Sequence, residues 1–302
     1  TVILNSAEMH PFHRPLKQRG MKVISLIHEF LSLYSHHTRE NLRKNTDLPI
    51  FSCRPILNEA LSISNVPWHN YEILSQGLID SEFGQRIQRT EARKALASAA
   101  GVVDGDFVVL ACGTAETRKG IDLFVQVARS VLAQAPRARF VWIGGTHTAG
   151  LDPLAWAIKD AELSGIQDRV HFLDSMENIE PLFTGADLFV LPSRLDPLPC
   201  VLHQAMACRL PVVAFSGSGG VEEILRDGGG HLVPFLDVAA MAQSILHFIE
   251  NPTTLSQEGA KAVQVVSQRY NFEEYINQLI EKTKIEKRES TTTDKRTPVT
   301  TA

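Results

Sequence analysis

The amino-acid sequence predicts an α/β fold built on doubly wound parallel sheets. Short apolar runs alternate with helical patterns along most of the 302 residues. Runs such as 107–112 and 211–215 are rich in Val, Ile, Leu and Phe and show no polar alternation. This pattern is typical of strands that are buried on both faces, as in parallel sheets. Strand–helix alternation of this length implies βαβ units with right-handed crossovers.

Ten segments are expected to form strands, in two series. The first series is 2–5, 22–27, 49–52 and 72–74, and the second is 107–112, 139–143, 170–173, 187–191, 211–215 and 230–233. Helices are expected between them: an apolar stripe at helical spacing runs through 121–134. Asp152 and Pro153 begin a second helix that ends at Gly165, and Asp237 caps a third. The polar stretch 80–105 carries no strand pattern and is expected to hold a domain boundary.

Composition and charge exclude several classes of protein. Hydrophobic residues make up 44% of the chain and charged residues 21%, as in an ordinary globular protein. The net charge of −4 argues against a dedicated nucleic-acid binder, because phosphate contacts need a basic excess. No apolar run approaches the roughly 18 residues of a membrane-spanning helix, and no signal peptide is recognisable. The four cysteines form no CxxC pair, so we expect free, mostly buried thiols and a cytoplasmic location.

The two ends of the sequence differ in character from the rest. The chain starts at Thr1 and runs directly into an apolar segment without an initiating Met, which suggests a piece of a longer polypeptide. Residues 284–302 are rich in Thr and charge and have little apolar content. Such a segment buries too little surface to offset its ordering entropy, so a linker or disordered tail is expected there.

A first candidate site lies in residues 111–124. A buried strand ends at Cys112, a glycine-containing loop follows, and Arg118 and Lys119 precede an amphipathic helix. Ligands of open α/β sheets bind beyond the carboxyl ends of the strands, where helix N-termini favour anions. Two cations at that place predict an anion site, most naturally for a diphosphate. A solvated turn with two surface cations is the alternative, with equal weight. Neither Gly-Lys-Ser/Thr nor GxGxxG is present, which disfavours a P-loop and a nicotinamide-dependent oxidoreductase.

A second candidate site lies in residues 189–224. A buried strand is followed by a loop with Asp196, a helix with Gln204, a further strand and the glycines of 217–220. Asp196 and Gln204 are eight residues apart, about two helical turns, so both side chains can line one groove. A carboxylate and an amide suit sugar hydroxyls, and the glycines permit close backbone approach. A capped loop with a solvated Gln204 is the alternative.

Together these motifs resemble a known family. Arg-Lys-Gly after a strand, then PSRxDPxP, then QAMAxxxPVVAFxxxGGxxE resemble the carboxyl-terminal domain of GT-B glycosyltransferases of the family-4 type (glycosyl transferases group 1). The resemblance covers about residues 106–250, while residues 1–80 resemble only the second half of the family's amino-terminal Rossmann-like domain. It implies a partial acceptor-side domain over 1–90, joined by the final helix 271–283, and a Rossmann-like donor domain over 91–270.

The resemblance implies a retaining glycosyltransferase and a role for individual residues. Lys119 corresponds to the lysine that holds the donor diphosphate, Asp196 to the group that contacts the transferred sugar, and Gln204 to the group that contacts the ribose. Arg118, at the helix start, is expected to supply the charge of the family's arginine. The other positions expected to bind the donor are Gly113, Thr114, Leu173, Asp174, Leu198, Pro199, Cys200, Gly219, Gly220 and Glu223. His28 follows an apolar strand on the cleft side, where it is a candidate for positioning the acceptor or sugar. A structural histidine is the favoured alternative.

Several positions depart from the family pattern. Thr114 stands at the usual arginine position, Pro199 replaces a frequent glycine and removes an N–H donor, and Gln204 replaces a second glutamate. The last change forfeits about 1 kcal/mol of hydrogen bonding. The family's amino-terminal glycine-rich loop has no counterpart. These departures keep open a non-catalytic nucleotide-sugar-binding module derived from a glycosyltransferase.

The expected partners follow from the same resemblance. They are a nucleotide-diphosphate sugar and a glycan or lipid-linked acceptor, with no cofactor and no required metal; peripheral membrane association stays open. Two histidine pairs, His10 with His13 and His36 with His37, have no third ligand at suitable spacing, so solvated helix positions are favoured. Trp142 and Trp156 are expected in the core.

Overall fold

The computed structural model describes residues 1–64, 68–145 and 152–284. The first part of the chain forms a parallel four-stranded sheet in which neighbouring strands follow the chain order. Its strands are β1 (Val2–Leu4), β2 (Val23–Ile27), β3 (Leu48–Phe51) and β4 (Glu72–Ile73). Their carboxyl ends therefore lie along one edge of the sheet.

One face of this sheet is covered by three helices, α1 (His10–Gln18), α2 (His36–Asn45) and α3 (Arg54–Ser62). Leu42 of α2 and Ile56 of α3 pack with Ile27 on this face. His13 of α1 is fully buried, and its Nε2 lies 2.7 Å from Ser25 Oγ on β2. The predicted solvated position of His13 is therefore wrong, because Ser25 supplies a polar partner within the apolar layer.

The second part of the chain forms a parallel six-stranded sheet. Its strands are β5 (Phe107–Cys112), β6 (Ala138–Ile143), β7 (Val170–Leu173), β8 (Leu188–Leu191), β9 (Val212–Phe215) and β10 (Gly230–Val233). The spatial order is β7-β6-β5-β8-β9-β10. Counted within this domain the order is 3-2-1-4-5-6, the Rossmann arrangement, and its topological switch point lies between β5 and β8.

Helices cover both faces of the second sheet. They are α4 (Arg89–Ala100), α5 (Ile121–Leu132), α6 (Pro153–Leu163), α7 (Glu180–Gly185), α8 (Cys200–Ala207), α9 (Val221–Ile224), α10 (Val238–Glu250) and α11 (Pro252–Arg269). Alternate residues of β5 point to opposite faces: Leu110 packs with Leu96 of α4, whereas Val109 packs with Phe124 of α5. The strands are apolar throughout because both faces are buried.

A buried charged network closes the amino edge of this sheet. Asp106 accepts hydrogen bonds from the Val103 N–H and from Arg139 Nε, both at 3.0 Å, and pairs with Arg169 at 3.2 Å. Burial alone would raise the pKa of Asp106, but the Val103 N–H and the two guanidinium groups hold it below its usual value. The segment Asp104-Gly105-Asp106 therefore lies at the amino ends of the strands, at the sheet edge opposite the carboxyl ends where both candidate sites were predicted.

The last helix, α12 (Phe272–Thr283), returns to the first domain. Its Tyr275 and Leu279 pack against Ile24, Leu26 and Ile50, on the face that α1 to α3 leave free. Where the chain crosses back, the Leu78 N–H donates to the Tyr270 carbonyl at 2.8 Å. A Cβ on Gly77 would lie 2.4 Å from the Asn271 backbone, so only glycine permits this approach.

The predicted fold class, two Rossmann-like units with parallel sheets, is confirmed. All ten predicted strands are present, with ends within one residue of the prediction. Trp142 lies in the core, but the prediction for Trp156 is wrong: this side chain is 62% exposed on the outer face of α6. The tail prediction concerns residues outside the described ranges, apart from Lys284. The domain limits stay predictions.

Candidate functional site

The site is formed at the switch point, where the carboxyl ends of β5 and β8 are neighbours. A short 3-10 turn, Thr117–Lys119, follows β5, and the loop with Asp196 follows β8. Lys119 Nζ lies 2.7 Å from Asp196 Oδ2, and the two side chains are only 17% and 6% exposed. The two motifs recognised in the sequence, 77 residues apart, thus meet in one ion pair.

Two glycines determine where Lys119 lies. Gly120 has φ +78°, and a Cβ there would lie 2.0 Å from the Pro192 carbonyl oxygen, so only glycine allows this turn to approach the end of β8. Gly113 lies beside the aliphatic part of Lys119, since a Cβ at Gly113 would be 3.5 Å from the lysine Cδ. The lysine therefore extends along bare backbone toward Asp196.

The backbone of Asp196 is held by the loop that precedes α9, and its carboxylate is also bound by Ser193. The Asp196 N–H donates to the Ser218 carbonyl at 2.7 Å, and Ser193 Oγ donates to Asp196 Oδ2 at 3.2 Å. A Cβ on Gly219, where φ is +142°, would lie 1.9 Å from the Asp196 carbonyl oxygen. The paired glycines of the sequence motif are thus required by close backbone contact with the Asp196 loop.

Arg118 binds the protein itself and does not point freely into the site. Its guanidinium donates to the Leu195 carbonyl at 3.0 Å and pairs with Glu116 at 3.2 Å. Thr114 Oγ1 also donates to Glu116, at 2.9 Å. Arg118 therefore joins the turn after β5 to the loop that contains Asp196.

Gln204 and Cys200 line a cleft of about 590 Å³ between the two domains. Gln76 and Arg86 line it from the connecting segment, and residues 177–180 complete its wall. Leu173 ends β7 and Asp174 follows it at the same sheet edge. The Leu173 carbonyl accepts hydrogen bonds from the Gly144 and Gly145 N–H groups, while Asp174 is exposed. In this cleft, Gln204 and Cys200, two residues expected to bind the donor, lie close to Gln76 of the first domain.

The remaining predicted donor residues take part in contacts within the protein. Leu198 packs against the cores of both domains, and Pro199 is buried directly before α8. The Gly220 N–H donates to the Pro197 carbonyl at 2.8 Å. Glu223 accepts a hydrogen bond at 2.9 Å from the Arg54 N–H of the first domain. Their donor-binding roles stay predictions.

His28 lies at the carboxyl edge of the first sheet, directly after β2. Its Nε2 is 2.9 Å from Asn5 Oδ1. Burial lowers the pKa of His28, and the neighbouring Glu29 only partly opposes this. The imidazole is therefore neutral at neutral pH, and a hydrogen-bonding role fits it better than a cationic one.

Four residues near the site were not singled out from the sequence. Ser193 and Ser218 hold Asp196, and both belong to motifs that were recognised without assigning them a role. Cys53 and Gln76 approach the loop from the first domain: Cys53 Sγ donates to the Pro197 carbonyl at 3.1 Å, and Cys200 Sγ lies 3.7 Å from Gln76 Oε1. No sequence pattern indicates these contacts.

The described parts of the chain contain neither a cluster of metal ligands nor a helix suited to span a membrane. Within residues 1–64, 68–145 and 152–284, no three His, Cys, Asp or Glu side chains lie together as metal ligands would. None of the helices in these ranges combines the length and the apolar character that a bilayer span requires.

The second domain matches a known protein family. Residues 106–251 match the model of the family described as glycosyl transferases group 1. The carboxyl-terminal domain is therefore similar to glycosyl transferases group 1. An uncharacterized glycosyltransferase of Haemophilus influenzae is 27% identical over 172 residues, which are 56% of this chain and 47% of the relative. A D-inositol 3-phosphate glycosyltransferase of Mycobacterium tuberculosis is 32% identical over 160 residues, 52% of this chain and 32% of the relative. The matches thus span less than half the length of these relatives.

Solved structures resemble both domains of the chain. HepE of Anabaena, determined in complex with UDP and glucose, has a TM-score of 0.83 at 18% identity and covers 93% of this chain and 77% of its own. Sucrose-phosphate synthase from Thermosynechococcus elongatus has a TM-score of 0.78 at 20% identity, with coverages of 93% and 73%. The second domain and the first sheet are therefore arranged as in the GT-B fold of glycosyltransferases.

Proposed function

We propose that this protein transfers a sugar from a nucleotide-diphosphate sugar to a glycan or lipid-linked acceptor, with retention of configuration. The contact between Lys119 Nζ and Asp196 Oδ2 at the switch point carries this proposal. A cation and a carboxylate at that place suit a diphosphate and sugar hydroxyls, respectively. The complex of HepE with UDP and glucose supports a ligand of this class.

In the proposed mechanism, Lys119 stabilises the diphosphate leaving group as negative charge develops on it. Such preorganised electrostatic stabilisation is usually the largest contribution in reactions of this kind. Asp196 holds the lysine extended along Gly113 before the donor binds, and then accepts hydrogen bonds from the sugar. We assign Asp196 a positioning role and no covalent attack. Arg118 helps to position Asp196, because it binds the carbonyl of the preceding residue, Leu195.

The other residues serve binding in this proposal. Gln204, in the cleft beside Cys200, bonds the ribose hydroxyls, and residues 173–174 lie where the base binds. His28 is proposed to meet the acceptor as a neutral hydrogen-bonding group. We propose that no metal is required, because the Lys119 ammonium supplies the positive charge at the diphosphate.

A donor panel tests this proposal. The purified chain is titrated with UDP-, GDP-, ADP- and dTDP-sugars, with and without EDTA, and donor hydrolysis is followed. We expect Lys119→Ala to lower turnover by about 10²- to 10³-fold, since it removes the charge at the leaving group. Lys159→Ala, an exposed lysine of α6, is the matched control.

Folding is checked separately, because Lys119→Ala leaves a buried carboxylate unpaired. The double variant Lys119→Ala/Asp196→Asn keeps the pair neutral and should melt near the wild-type temperature. An unchanged turnover in Lys119→Ala would remove the assigned role, and a turnover abolished by EDTA would contradict metal independence.

A non-catalytic nucleotide-sugar-binding module is the second candidate. It is favoured by Gln204, which presents a neutral amide in the cleft where the family has a glutamate. Because the chain matches less than half of its curated relatives, the same panel should be repeated with the longest available form of the protein. Binding without turnover in that form would establish the module.

A further inference from the structure

The loop that contains Asp196 is held by the first domain as well as by its own. We call residues 195–200 the donor loop. On one side the loop contacts the Gly219–Gly220 backbone. On the other side Leu195 and Leu198 pack against the apolar core of the first domain, beside Cys53. The donor loop is therefore enclosed between the two domains.

The Pro197 carbonyl is the point where three segments meet. It accepts the Gly220 N–H at 2.8 Å and the Cys53 S–H at 3.1 Å. A Cβ on Gly220 would lie 2.5 Å from this oxygen and 3.3 Å from Cys53 Sγ, so the three groups are in direct contact. Asp196 immediately precedes Pro197. Displacement of this carbonyl would therefore displace the carboxylate that pairs with Lys119.

Cys53 is a suitable donor at this place. It is fully buried between β3 and α3, directly before the helix, and burial raises the pKa of its thiol to about 12. The thiol therefore stays protonated at neutral pH, and its S–H donates a hydrogen bond to the Pro197 carbonyl.

The next residue makes a second attachment. Arg54 is the first residue of α3, and its N–H has no partner within the helix because helix N-termini leave such groups free. This N–H donates to Glu223 Oε1 at 2.9 Å. Glu223 lies in α9, which follows directly on Gly220. Two adjacent residues of the first domain thus bind both sides of the Asp196 site: Cys53 binds the donor loop, and Arg54 binds α9, which follows the glycines that contact this loop.

We propose that the Cys53 thiol and the Arg54 backbone N–H are positioning groups for Asp196, so that the first domain completes the donor site. This inference rests on the proposed function. It assigns the first domain a part in donor binding and catalysis through contacts that do not themselves touch the donor. A displaced Asp196 no longer aligns the sugar, and small misplacements at a reacting centre have large effects on rate.

Two pairs of variants separate these hydrogen bonds from general packing. Cys53→Ala removes the donor, whereas Cys53→Ser restores a hydroxyl donor of similar size. Arg54→Pro removes the N–H, and proline is compatible with the first helical position and with the extended backbone of Cys53, whose φ is −158° and ψ 164°. Arg54→Ala loses the side chain but keeps the N–H, and is the matched control.

The variants are compared in two measurements. The first is kcat and KM with the sugar nucleotide that the wild type turns over in the panel. The second is hydrogen exchange of the Asp196 and Gly220 amides, which requires no turnover. We expect Cys53→Ala and Arg54→Pro to lower kcat about tenfold with KM within about twofold, and to accelerate exchange at these amides about tenfold. Cys53→Ser and Arg54→Ala should stay near wild type.

Each outcome decides the inference. Wild-type kcat and exchange in Cys53→Ala and Arg54→Pro would overturn it. So would faster exchange spread over the whole chain, which indicates general destabilisation, or a failure of Cys53→Ser to restore the wild-type values. If the wild type turns over no donor, the proposed function fails, and the exchange measurement still decides whether Cys53 and Arg54 hold the donor loop.

Discussion

At the scale of single residues, His203 lies in an unusual environment. It is fully buried on α8, and neither ring nitrogen has a hydrogen-bond partner within the described part of the chain. Its ring stacks on Tyr270 with the centroids 4.3 Å apart. Burial lowers the pKa of His203 to about 4. The histidine therefore acts as an apolar ring that joins α8 to the end of α11.

This environment predicts a dependence of stability on pH. Between pH 6.5 and about 4, the unfolded chain binds a proton at His203 and the folded chain does not, so the free energy of unfolding falls as the pH falls. One pKa unit corresponds to about 1.4 kcal/mol, which limits the loss to about 3 kcal/mol. His203→Phe should remove this part of the dependence in urea unfolding at several pH values. The other histidines are common to both proteins; equal pH dependence in the two would contradict the prediction.

The sequence allowed some residues to be predicted and not others. Lys119 and Asp196 lie in recognisable motifs that the family resemblance assigns to one donor, so their proximity was implied, although the ion pair between them was not. The contact between Cys53 and Pro197 joins positions 144 residues apart and depends on how two domains pack, which no local pattern contains. For the same reason the partners of Arg118 and Glu223 could not be predicted.

At the scale of elements, the loop between β9 and α9 gives the sharpest prediction. Gly219→Ala places a Cβ 1.9 Å from the Asp196 carbonyl, so either the loop or the donor loop must move. We expect loss of donor binding and a lowered melting temperature. Gly217→Ala is the matched control in the same loop: its φ is +76°, but nothing lies within 4 Å of the added Cβ. Only left-handed backbone strain of about 1–2 kcal/mol is expected there.

Donor titration and thermal unfolding of the two variants check this prediction. Equal losses in Gly217→Ala and Gly219→Ala would show that backbone strain alone matters and that close contact with the donor loop does not.

The strands were easier to predict than the helix faces. Buried parallel strands are marked by continuous apolar runs, and all ten lie where these runs occur. Helix faces depend on which neighbours cover them. Trp156 was expected in the core from its apolar surroundings, but α6 presents it to solvent, and its neighbour Leu154 fills the core position.

At the scale of the whole molecule, α12 determines whether the first domain is covered on both faces. Leu279 is 7% exposed and packs against the first sheet, whereas its neighbour Ile280 is 51% exposed. Leu279→Ala should lower the free energy of unfolding by about 2–3 kcal/mol because it leaves a cavity at this interface. Ile280→Ala should change it by about 0.5 kcal/mol or less.

Denaturant unfolding of both variants, followed by a probe in the first domain, checks this prediction. A comparable loss in the two variants would mean that α12 contributes helix formation and little packing to the first sheet.

Within the described ranges the chain passes between the domains twice, and the two passages lie side by side where Leu78 meets Tyr270 and Asn271. Two connections that lie side by side restrict sliding and twisting of the domains more than rotation about the point where they meet. Opening of the molecule would part the contacts of Cys53 and Arg54 together, and closing would remake them in the same register. Under the proposed function, a donor that binds between the domains would therefore meet the same alignment of the two walls each time they close.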